Sequence, residues 1–203
     1  KSIIGWIPIS LKTKWRNTTM LKKFYLGMIL AFFAFAGLTF CSPPAPANNF
    51  KFTTEEHIMC LANNMYWESR NQSMTGMRAV GLVTMNRVKD ERFPHTVCAV
   101  VFQAPTIESW RGEWIPIRNK CQFSWYCDGK SDKIPSVDSN LYEILLKQAR
   151  DIYYGTKYNA IEDFTQGATH YHADYVYPEW RKSKTQTIVI DNHIFYRWEK
   201  VTK

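Results

Sequence analysis

Apolar and polar positions follow a helical spacing through much of the first three quarters of the chain. Apolar residues recur at intervals of three and four in residues 53–69, 73–90 and 138–155, which predicts three amphipathic helices. Thr53 precedes the first of them and is followed three residues later by a glutamate, the pattern of a capping box. Gly155 is predicted to end the third helix, because glycine is common just after a helix terminus.

Other patterns occupy the segments between and after these helices. Residues 93–103 are a short apolar run that predicts a short helix or a buried strand, whereas residues 104–137, rich in Trp, Pro, Gly and Lys, predict a loop. In residues 168–175 the side-chain pattern alternates with a period of two, which predicts a strand. Residues 185–198 predict a hairpin that turns at residues 191–192. Helices followed by a small antiparallel sheet define an α+β domain.

Charge is distributed unevenly between the N-terminal segment and the rest of the chain. The formal net charge is +8, but residues 1–47 hold six of the 26 Lys and Arg residues and none of the 18 acidic residues. Residues 48–203 are therefore nearly balanced, which argues against nucleic acid as a partner of the folded part. Aromatic residues make up 15% of the chain, so some rings must be exposed and available to stack on sugars.

Residues 1–47 are predicted to be an N-terminal extension and a secretory signal peptide. Two lysines precede an uncharged apolar stretch, residues 24–41, and small residues around Ala47 complete the pattern of a cleavage site. An uncleaved membrane anchor is the alternative, since the apolar stretch is long enough to span a bilayer. Residues 48–203 are then an exported domain, periplasmic or extracellular, with membrane contact only through the N-terminal segment if that segment is uncleaved.

The predicted exported part contains four cysteines, Cys60, Cys98, Cys121 and Cys127. Four thiols in an exported domain predict two disulfide bonds, for which three pairings are possible. A tetrahedral zinc site is the alternative, but no pair of these cysteines has the C-x-x-C spacing typical of such sites.

The stretch "YWESRNQ", residues 66–72, places one carboxylate, Glu68, after two aromatic residues near the predicted end of the first helix. On the helical spacing, Glu68 lies at the edge of the apolar face. A carboxyl group in a partly apolar pocket has a raised pKa and can donate a proton to the leaving oxygen of a glycosidic bond. A solvated glutamate at a helix end is the alternative interpretation.

His170 and His172 form an H-x-H pair on the predicted strand, where alternation directs both side chains to one face. Two histidines on one face are a partial metal site, to which His193, Asp174 or a glutamate could add a third ligand. The alternative is that these polar residues line a cleft or support the hairpin.

Several motifs, in this order and spacing, resemble the SleB/CwlJ family of cell-wall hydrolases: residues 61–103 with "YWESRNQ", then "CQFSWYCDGKSD", "GATHYHADYVYPEW" and "HIFYR". The resemblance covers about residues 57–197 and implies a lysozyme- or lytic-transglycosylase-like α+β fold that cuts the glycan strands of peptidoglycan. It places the family's catalytic glutamate on Glu68. The family's second glutamate is replaced here by Gln72, which argues against a mechanism that needs this second acid.

The sequence is therefore interpreted as an exported lytic transglycosylase that cuts the β-1,4 bond between N-acetylmuramic acid and N-acetylglucosamine in peptidoglycan. Glu68 is the predicted catalytic acid, and no metal or other cofactor is expected. The predicted substrate contacts, which would hold the acetamido sugars in the cleft, are Ser69, Gln122, Ser124, Tyr171 and His172.

Three alternatives stand beside this interpretation. A hydrolytic muramidase would need a second carboxylate, for which Asp163 and Asp174 are the candidates. A metal-dependent amidase or peptidase of the wall would use His170 and His172. A non-catalytic wall-binding module would use the exposed aromatic rings, but it would leave Glu68 without a role.

Overall fold

Residues 51–199 are the part of the chain that the computed structural model describes. The extension, signal peptide or anchor predicted for residues 1–47 lies outside these residues and stays a prediction. Within the described part, no helix is long and apolar enough to cross a membrane. The helices are α1 (Thr54–Ser69), α2 (Met74–Lys89), α3 (Val97–Val101) and α4 (Ser139–Lys157); the strands are β1 (Thr106–Glu108), β2 (Trp114–Pro116), β3 (His170–Ala173), β4 (Thr185–Ile190) and β5 (His193–Arg197).

Helix α1 is the centre of the helical layer and packs against α2, α3 and α4. Its inner face carries Leu61 and Met65, neither of which has exposed surface. Gly81 of α2 allows a close approach of the helices, since a Cβ atom there would lie 2.9 Å from Ile152 Cδ1 of α4 and 3.0 Å from Met65 Sδ. Burial of such side chains stabilises the fold by about 25 cal/mol per Å² of apolar surface. The last turn of α1, which carries Glu68, is thus held against packed neighbours.

The predicted beginnings of the first two helices are confirmed, because they depend on local contacts. Thr53 Oγ1 accepts a 3.3 Å hydrogen bond from the Glu56 backbone N–H, and the Glu56 carboxylate accepts one of 2.7 Å from the Thr53 backbone N–H. These two bonds form the predicted capping box. Ser73 caps α2 through the Gly76 N–H. The apolar run at residues 93–103 contains the short helix α3 and no strand.

The predicted end of the third helix is wrong. Helix α4 continues past Gly155 to Lys157. A Cβ atom at position 155 would lie only 2.8 Å from Ile161 Cβ, so the missing side chain makes room for the segment that follows the helix. Gly155 therefore permits close packing and does not terminate the helix.

The antiparallel sheet that the alternating patterns predicted is present, with strand order β3-β5-β4. Tyr171 of β3 pairs with Phe195 of β5. Phe195 is fully buried and belongs to a small core cluster with Ala79 and Val83 of α2, which attaches the sheet to the helical layer. The hairpin of β4 and β5 turns at residues 191–192, as predicted. The architecture is α+β, as the element order indicated.

The segment predicted as a loop, residues 104–137, is only partly a loop. It contains the hairpin of β1 and β2, in which Ile107 pairs with Ile115, and two 3₁₀ helices, Ser124–Cys127 and Ser136–Asp138. Strands of three residues are too short to show an alternating pattern, so periodicity could not predict them.

The four cysteines of the described part form two disulfide bonds, as predicted, and the structure adopts one of the three possible pairings. Cys60 is bonded to Cys98 and Cys121 to Cys127. The first bond joins α1 to α3 across 38 residues of sequence, and the second closes a short loop with a separation of 6 residues. The thiols that the zinc alternative required are used in these bonds.

Candidate active site

Glu68 lies in the last turn of α1 and is joined to strand β3. The Tyr171 hydroxyl donates a 2.8 Å hydrogen bond to Glu68 Oε2. The two residues are 103 positions apart in sequence, so the packing of the helical layer against the sheet brings them together. Glu68 is therefore not a solvated glutamate at a helix end.

The Glu68 carboxyl group is withdrawn from solvent. Its Oε1 atom is buried and has no hydrogen-bond partner among residues 51–199. Burial disfavours the charged form and raises the pKa of Glu68; the Tyr171 hydrogen bond, the Arg87 charge and the Ser124 backbone N–H oppose this rise without cancelling it. A carboxyl group with a raised pKa keeps its proton at higher pH than an exposed glutamate does, which suits a general acid.

Tyr171 is held as a neutral hydrogen-bond donor. Burial raises the pKa of its phenol well above the usual value, and the charge of Glu68 and the hydrogen bond to it raise the pKa further. The ring packs against His193 and Phe195 of β5, with centroid distances of 5.0 Å and 5.6 Å. The sheet therefore fixes the position of the Tyr171 hydroxyl, which donates the hydrogen bond to Glu68.

Arg87 of α2 belongs to this site and was missed by the sequence analysis. The residue is only 5% exposed, and its guanidinium lies over the rings of Phe93 and Phe123 at 5.3 Å and 4.8 Å. Its Nε donates a 2.7 Å hydrogen bond to the Thr169 carbonyl, just before β3. Helical spacing could have indicated that Arg87 is buried. The residue comes three positions after Thr84, which lies on the predicted apolar face of the second helix.

A cavity of about 230 Å³ is lined by residues that are neighbours of Glu68. Trp67, its sequence neighbour, and Ser124, whose N–H acts on its carboxyl group, both line this cavity. The other lining residues are Arg70, Trp125, Asp128, Lys130, Ser131 and Asp132. Neither Glu68 nor Tyr171 lines this cavity directly, and the larger cavities of about 420 Å³ and 500 Å³ share no lining residue with it. The shielded carboxyl, and not cavity size, identifies the site.

The loop that contains Trp125 is attached to the helices beside the site. Trp125 Nε1 donates a 3.0 Å hydrogen bond to Asn64 Oδ1, and Asn64 Nδ2 donates one of 3.0 Å to Thr84 Oγ1. Asn64 lies one helical turn before Glu68 on α1. This buried network therefore holds the loop, α1 and α2 in a fixed arrangement around the carboxyl group.

The structure brings only some of the predicted substrate contacts to the carboxyl group. Ser124 and Tyr171 lie beside it, and Gln122 is exposed on the same loop as Ser124. Ser69 is only 1% exposed, and its hydroxyl donates a 2.7 Å hydrogen bond to the Met65 carbonyl within α1. Ser69 therefore has no surface to offer a sugar, and the predicted contact does not fit its position.

His172 is also a poor fit to the predicted substrate contact. It is 7% exposed, and alternation along β3 directs it to the face opposite Tyr171. Its Nδ1 lies 2.9 Å from the Ala173 carbonyl, and its Nε2 lies 3.0 Å from the Tyr196 hydroxyl. Both ring nitrogens are thus engaged within the protein, so His172 supports the sheet.

The two histidines of β3 share one face, as alternation predicted, but they do not build a metal site. His170 Nδ1 lies 2.9 Å from Thr169 Oγ1, and burial together with the nearby Arg87 charge lowers the pKa of His170 to about 3. No group of three or more His, Cys, Asp and Glu residues that could hold a metal occurs among residues 51–199. The donor set near His170 and His172 therefore does not fit the metal-dependent alternative.

The two candidates for a second carboxylate have other surroundings. Asp163 accepts hydrogen bonds from the backbone N–H groups of Thr165 and Gly167, at 3.0 Å and 2.8 Å, and from Asn86 Nδ2 at 2.8 Å. It stabilises the turn that leads into β3. Asp174 is an exposed residue just after β3.

Gln72, which stands in place of the second glutamate of the resembling family, makes a structural contact. Its Oε1 accepts a 3.2 Å hydrogen bond from the Asn192 N–H at the turn between β4 and β5. Beside it, Asp191 Oδ2 accepts hydrogen bonds from the Ser73 N–H at 2.9 Å and the Ser73 hydroxyl at 2.7 Å. The hairpin turn is thus attached to the corner between α1 and α2, next to the turn that carries Glu68.

The comparison with protein families gives a match to the family described as Cell Wall Hydrolase over residues 71–196. The matched range is more than half of the chain, and the chain therefore belongs to this family. Glu68 lies just before the matched range, so its assignment depends on the geometry described above.

Two solved structures are similar to the chain over most of its length. The catalytic domain of the germination-specific lytic transglycosylase SleB from Bacillus anthracis superposes with a TM-score of 0.51 and 26% identity, covering 73% of this chain and 98% of that one. The catalytic domain of the Bacillus cereus SleB protein has the same score and identity, with coverage of 76% and 99%.

A similar sequence is the spore cortex-lytic enzyme of Bacillus cereus, which is 40% identical over 50 residues. The aligned segment is 25% of this chain but only 19% of that relative. The chain therefore spans about a fifth of the relative's length.

Proposed function

We propose that this protein is a peptidoglycan-cleaving enzyme, and more narrowly a lytic transglycosylase in which Glu68 is the general acid. The observation that carries the proposal is the shielded Glu68 carboxyl, with Oε2 bound by Tyr171 at 2.8 Å and Oε1 buried without a partner in the described residues. Membership of the cell wall hydrolase family supports the wall as the target. Similarity to the SleB catalytic domain, a lytic transglycosylase, supports the reaction class.

In the proposed reaction one proton leaves Glu68 and one returns. The protonated carboxyl donates to the glycosidic oxygen as the bond from this oxygen to C1 of N-acetylmuramic acid breaks. The carboxylate then removes the proton from the C6 hydroxyl of the same sugar, and the C6 oxygen bonds to C1. The product ends in a 1,6-anhydro ring, and Glu68 is protonated again.

This route needs only one carboxyl group, which agrees with the surroundings of Glu68. A hydrolytic glycosidase uses a second carboxylate to activate water or to form a covalent intermediate. Asp163 is engaged by donors in a turn, and Gln72 is an amide that holds the β4–β5 hairpin. The C6 hydroxyl of the substrate replaces the nucleophile that a second acid would supply.

Sugar binding is assigned to the side of Glu68 that the cavity occupies. Ser124 and Tyr171 are proposed to contact the acetamido sugars next to the carboxyl, and Gln122 to contact a sugar further along the same loop. Trp67 is added as an aromatic wall of this cavity, where a sugar ring can stack.

Export of the enzyme is part of the proposal. The substrate lies outside the cytoplasmic membrane, and residues 1–47 have the pattern of a signal peptide or an anchor. The two disulfide bonds are typical of proteins that fold in an oxidising compartment.

Mass spectrometry of the fragments released from purified peptidoglycan tests the proposed function. We expect muropeptides that end in 1,6-anhydro-N-acetylmuramic acid, with the same yield when a metal chelator is present. Fragments with reducing N-acetylmuramic acid ends would contradict the transglycosylase route. They would show instead that the enzyme cuts the same bond by hydrolysis. Released stem peptides with intact glycan strands would contradict glycan cleavage altogether.

A further inference from the structure

Arg87 is a buried cation that makes no ion pair with a carboxylate in the part of the chain that the structure describes. It is only 5% exposed, and burial lowers the pKa of its guanidinium. A buried charge without a paired carboxylate is unfavourable for folding, and an apolar side chain of similar size would fill the same space. Stability therefore does not explain why an arginine is buried at this position, and a role in function is the better explanation.

The contacts of Arg87 hold the guanidinium in one place. The rings of Phe93 and Phe123 lie 5.3 Å and 4.8 Å from its central carbon, within the range of cation–π attraction. Nε donates a 2.7 Å hydrogen bond to the Thr169 carbonyl, two residues before Tyr171. Nη1 is buried and has no hydrogen-bond partner among residues 51–199. A fixed cation is thus attached to the segment that positions the Tyr171 hydroxyl.

Glu68 and Tyr171 are the acidic groups on which this cation acts. The positive charge of Arg87 favours the ionised form of each group and so lowers the pKa of both residues. In a low-dielectric interior such an interaction is stronger than between surface charges. Since there is no direct ion pair, the carboxyl of Glu68 is not held permanently ionised, and burial still keeps its pKa raised.

We propose that Arg87 is a positioning residue of the transglycosylase reaction: its charge stabilises the Glu68 carboxylate that forms when the proton leaves, and its bond to Thr169 sets the strand that carries Tyr171. This inference rests on the proposed role of Glu68. One buried side chain would thus both stabilise the charge on Glu68 and position its hydrogen-bond partner.

Three elements present groups to the Glu68 carboxyl: β3 supplies the Tyr171 hydroxyl, α2 supplies Arg87, and the 3₁₀ helix at Ser124 supplies a backbone N–H. His170 also lies near Arg87, but its pKa is about 3, so the imidazole stays neutral while Glu68 titrates. A change in the Glu68 titration after substitution of Arg87 is therefore attributable to the guanidinium.

The test compares Arg87→Met, which removes the charge, with Arg87→Lys, which keeps it. Arg87→Gln keeps an N–H donor for the Thr169 carbonyl without the charge, and it replaces Arg87→Met if that variant does not fold. The control is Arg92→Met, because Arg92 is a nearby cation in the turn after α2 that does not act on the Glu68 carboxyl. Two readouts are used: the pH profile of kcat, and carboxyl ¹³C NMR titration of Glu68 in the folded protein.

Cleavage requires protonated Glu68, so activity falls as pH rises through its pKa. Because Arg87 lowers this pKa, its removal raises the pKa and moves the basic limb of the profile to higher pH. The plateau value of kcat should fall by roughly tenfold or more, which is a part of the roughly 10²–10⁴-fold that general acid–base catalysis contributes. Arg87→Lys should restore the position of the limb in part, and Arg92→Met should leave limb and plateau unchanged.

The outcomes separate this inference from the proposed function. If Glu68→Gln is inactive but neither neutral Arg87 variant moves the limb or the NMR titration, Arg87 is a structural residue and the inference is wrong. If Arg92→Met moves them equally, the effect is not specific to Arg87, and the inference is also wrong. If Glu68→Gln cleaves peptidoglycan normally, the proposed function itself fails.

Discussion

The Tyr171 hydroxyl donates a 2.8 Å hydrogen bond to Glu68 Oε2, and this contact joins the helical layer to the sheet at the proposed reacting group. It occupies one carboxyl oxygen and leaves the other, Oε1, without a partner in the described residues. The proton that a substrate receives is thus assigned to Oε1. Tyr171 also lowers the pKa of Glu68, which burial alone would raise further.

Substitution Tyr171→Phe removes this hydrogen bond and keeps the ring. We expect the pKa of Glu68 to rise, so that the basic limb of the pH profile of activity moves to higher pH, and kcat to fall. Stability should change by only about 1 kcal/mol, the usual net contribution of one hydrogen bond. Tyr177→Phe, at an exposed tyrosine, is the matched control. An unshifted limb in Tyr171→Phe would show that the hydroxyl does not tune Glu68.

The raised pKa of Glu68 predicts a pH-dependent gain in stability for Glu68→Gln. An unfolded glutamate titrates near 4.5, and the folded state holds its proton more tightly. Between these two pKa values the folded state binds more protons, so the wild type loses stability as pH rises through this window. Thermal unfolding midpoints should favour Glu68→Gln increasingly from pH 4.5 upward. A difference that is constant with pH would contradict the burial of the carboxyl.

The two disulfide bonds are predicted to contribute unequally to stability. Cys60–Cys98 closes the longer loop and joins two helices, so replacing both residues by Ser should lower the free energy of unfolding by about 2–4 kcal/mol. Cys121–Cys127 spans only 6 residues, and the same change there should cost less. Denaturant unfolding of the two double variants measures the difference. The reverse order would show that strain or residual structure outweighs loop length.

Substitutions at the two other carboxylates distinguish one-acid from two-acid chemistry. Asp163→Asn weakens the hydrogen bonds that the Thr165 and Gly167 N–H groups donate to the Asp163 side chain. The free energy of unfolding should therefore fall by roughly 1–3 kcal/mol. The kcat of the folded fraction should persist. Asp174→Asn, at an exposed position, should leave both stability and kcat unchanged. A loss of kcat in either variant as large as in Glu68→Gln would favour a hydrolase with two carboxylates.

Features that depend on neighbouring residues could be predicted from the sequence. The capping box of Thr53 and Glu56 is a contact over three residues, and the turn at 191–192 was predicted from its own two residues. Alternation also predicted the face shared by His170 and His172. Gly155 shows the limit of such local rules, because its packing against Ile161 overrides the usual preference of glycine for helix ends.

The partners of Glu68 could not be predicted from local pattern, because they come from distant segments. Tyr171 is 103 residues away, and Arg87 lies on another helix, where helical spacing places it on the apolar face but does not show which groups it meets. The burial of Ser69 and His172 likewise depends on packing between layers. Family resemblance indicated the importance of Glu68, but the tertiary structure was needed to show which groups hold its carboxyl.

The most direct test of the account is the rate at which purified Glu68→Gln cleaves purified peptidoglycan, measured against wild type by release of soluble muropeptides. The amide keeps the shape of the carboxyl and removes its proton, so we expect activity to fall by at least about 10²–10⁴-fold while the fold is retained. Glu91→Gln, at an exposed glutamate, should cleave at the wild-type rate. Near-normal cleavage by folded Glu68→Gln would contradict the central claim that Glu68 is the catalytic acid.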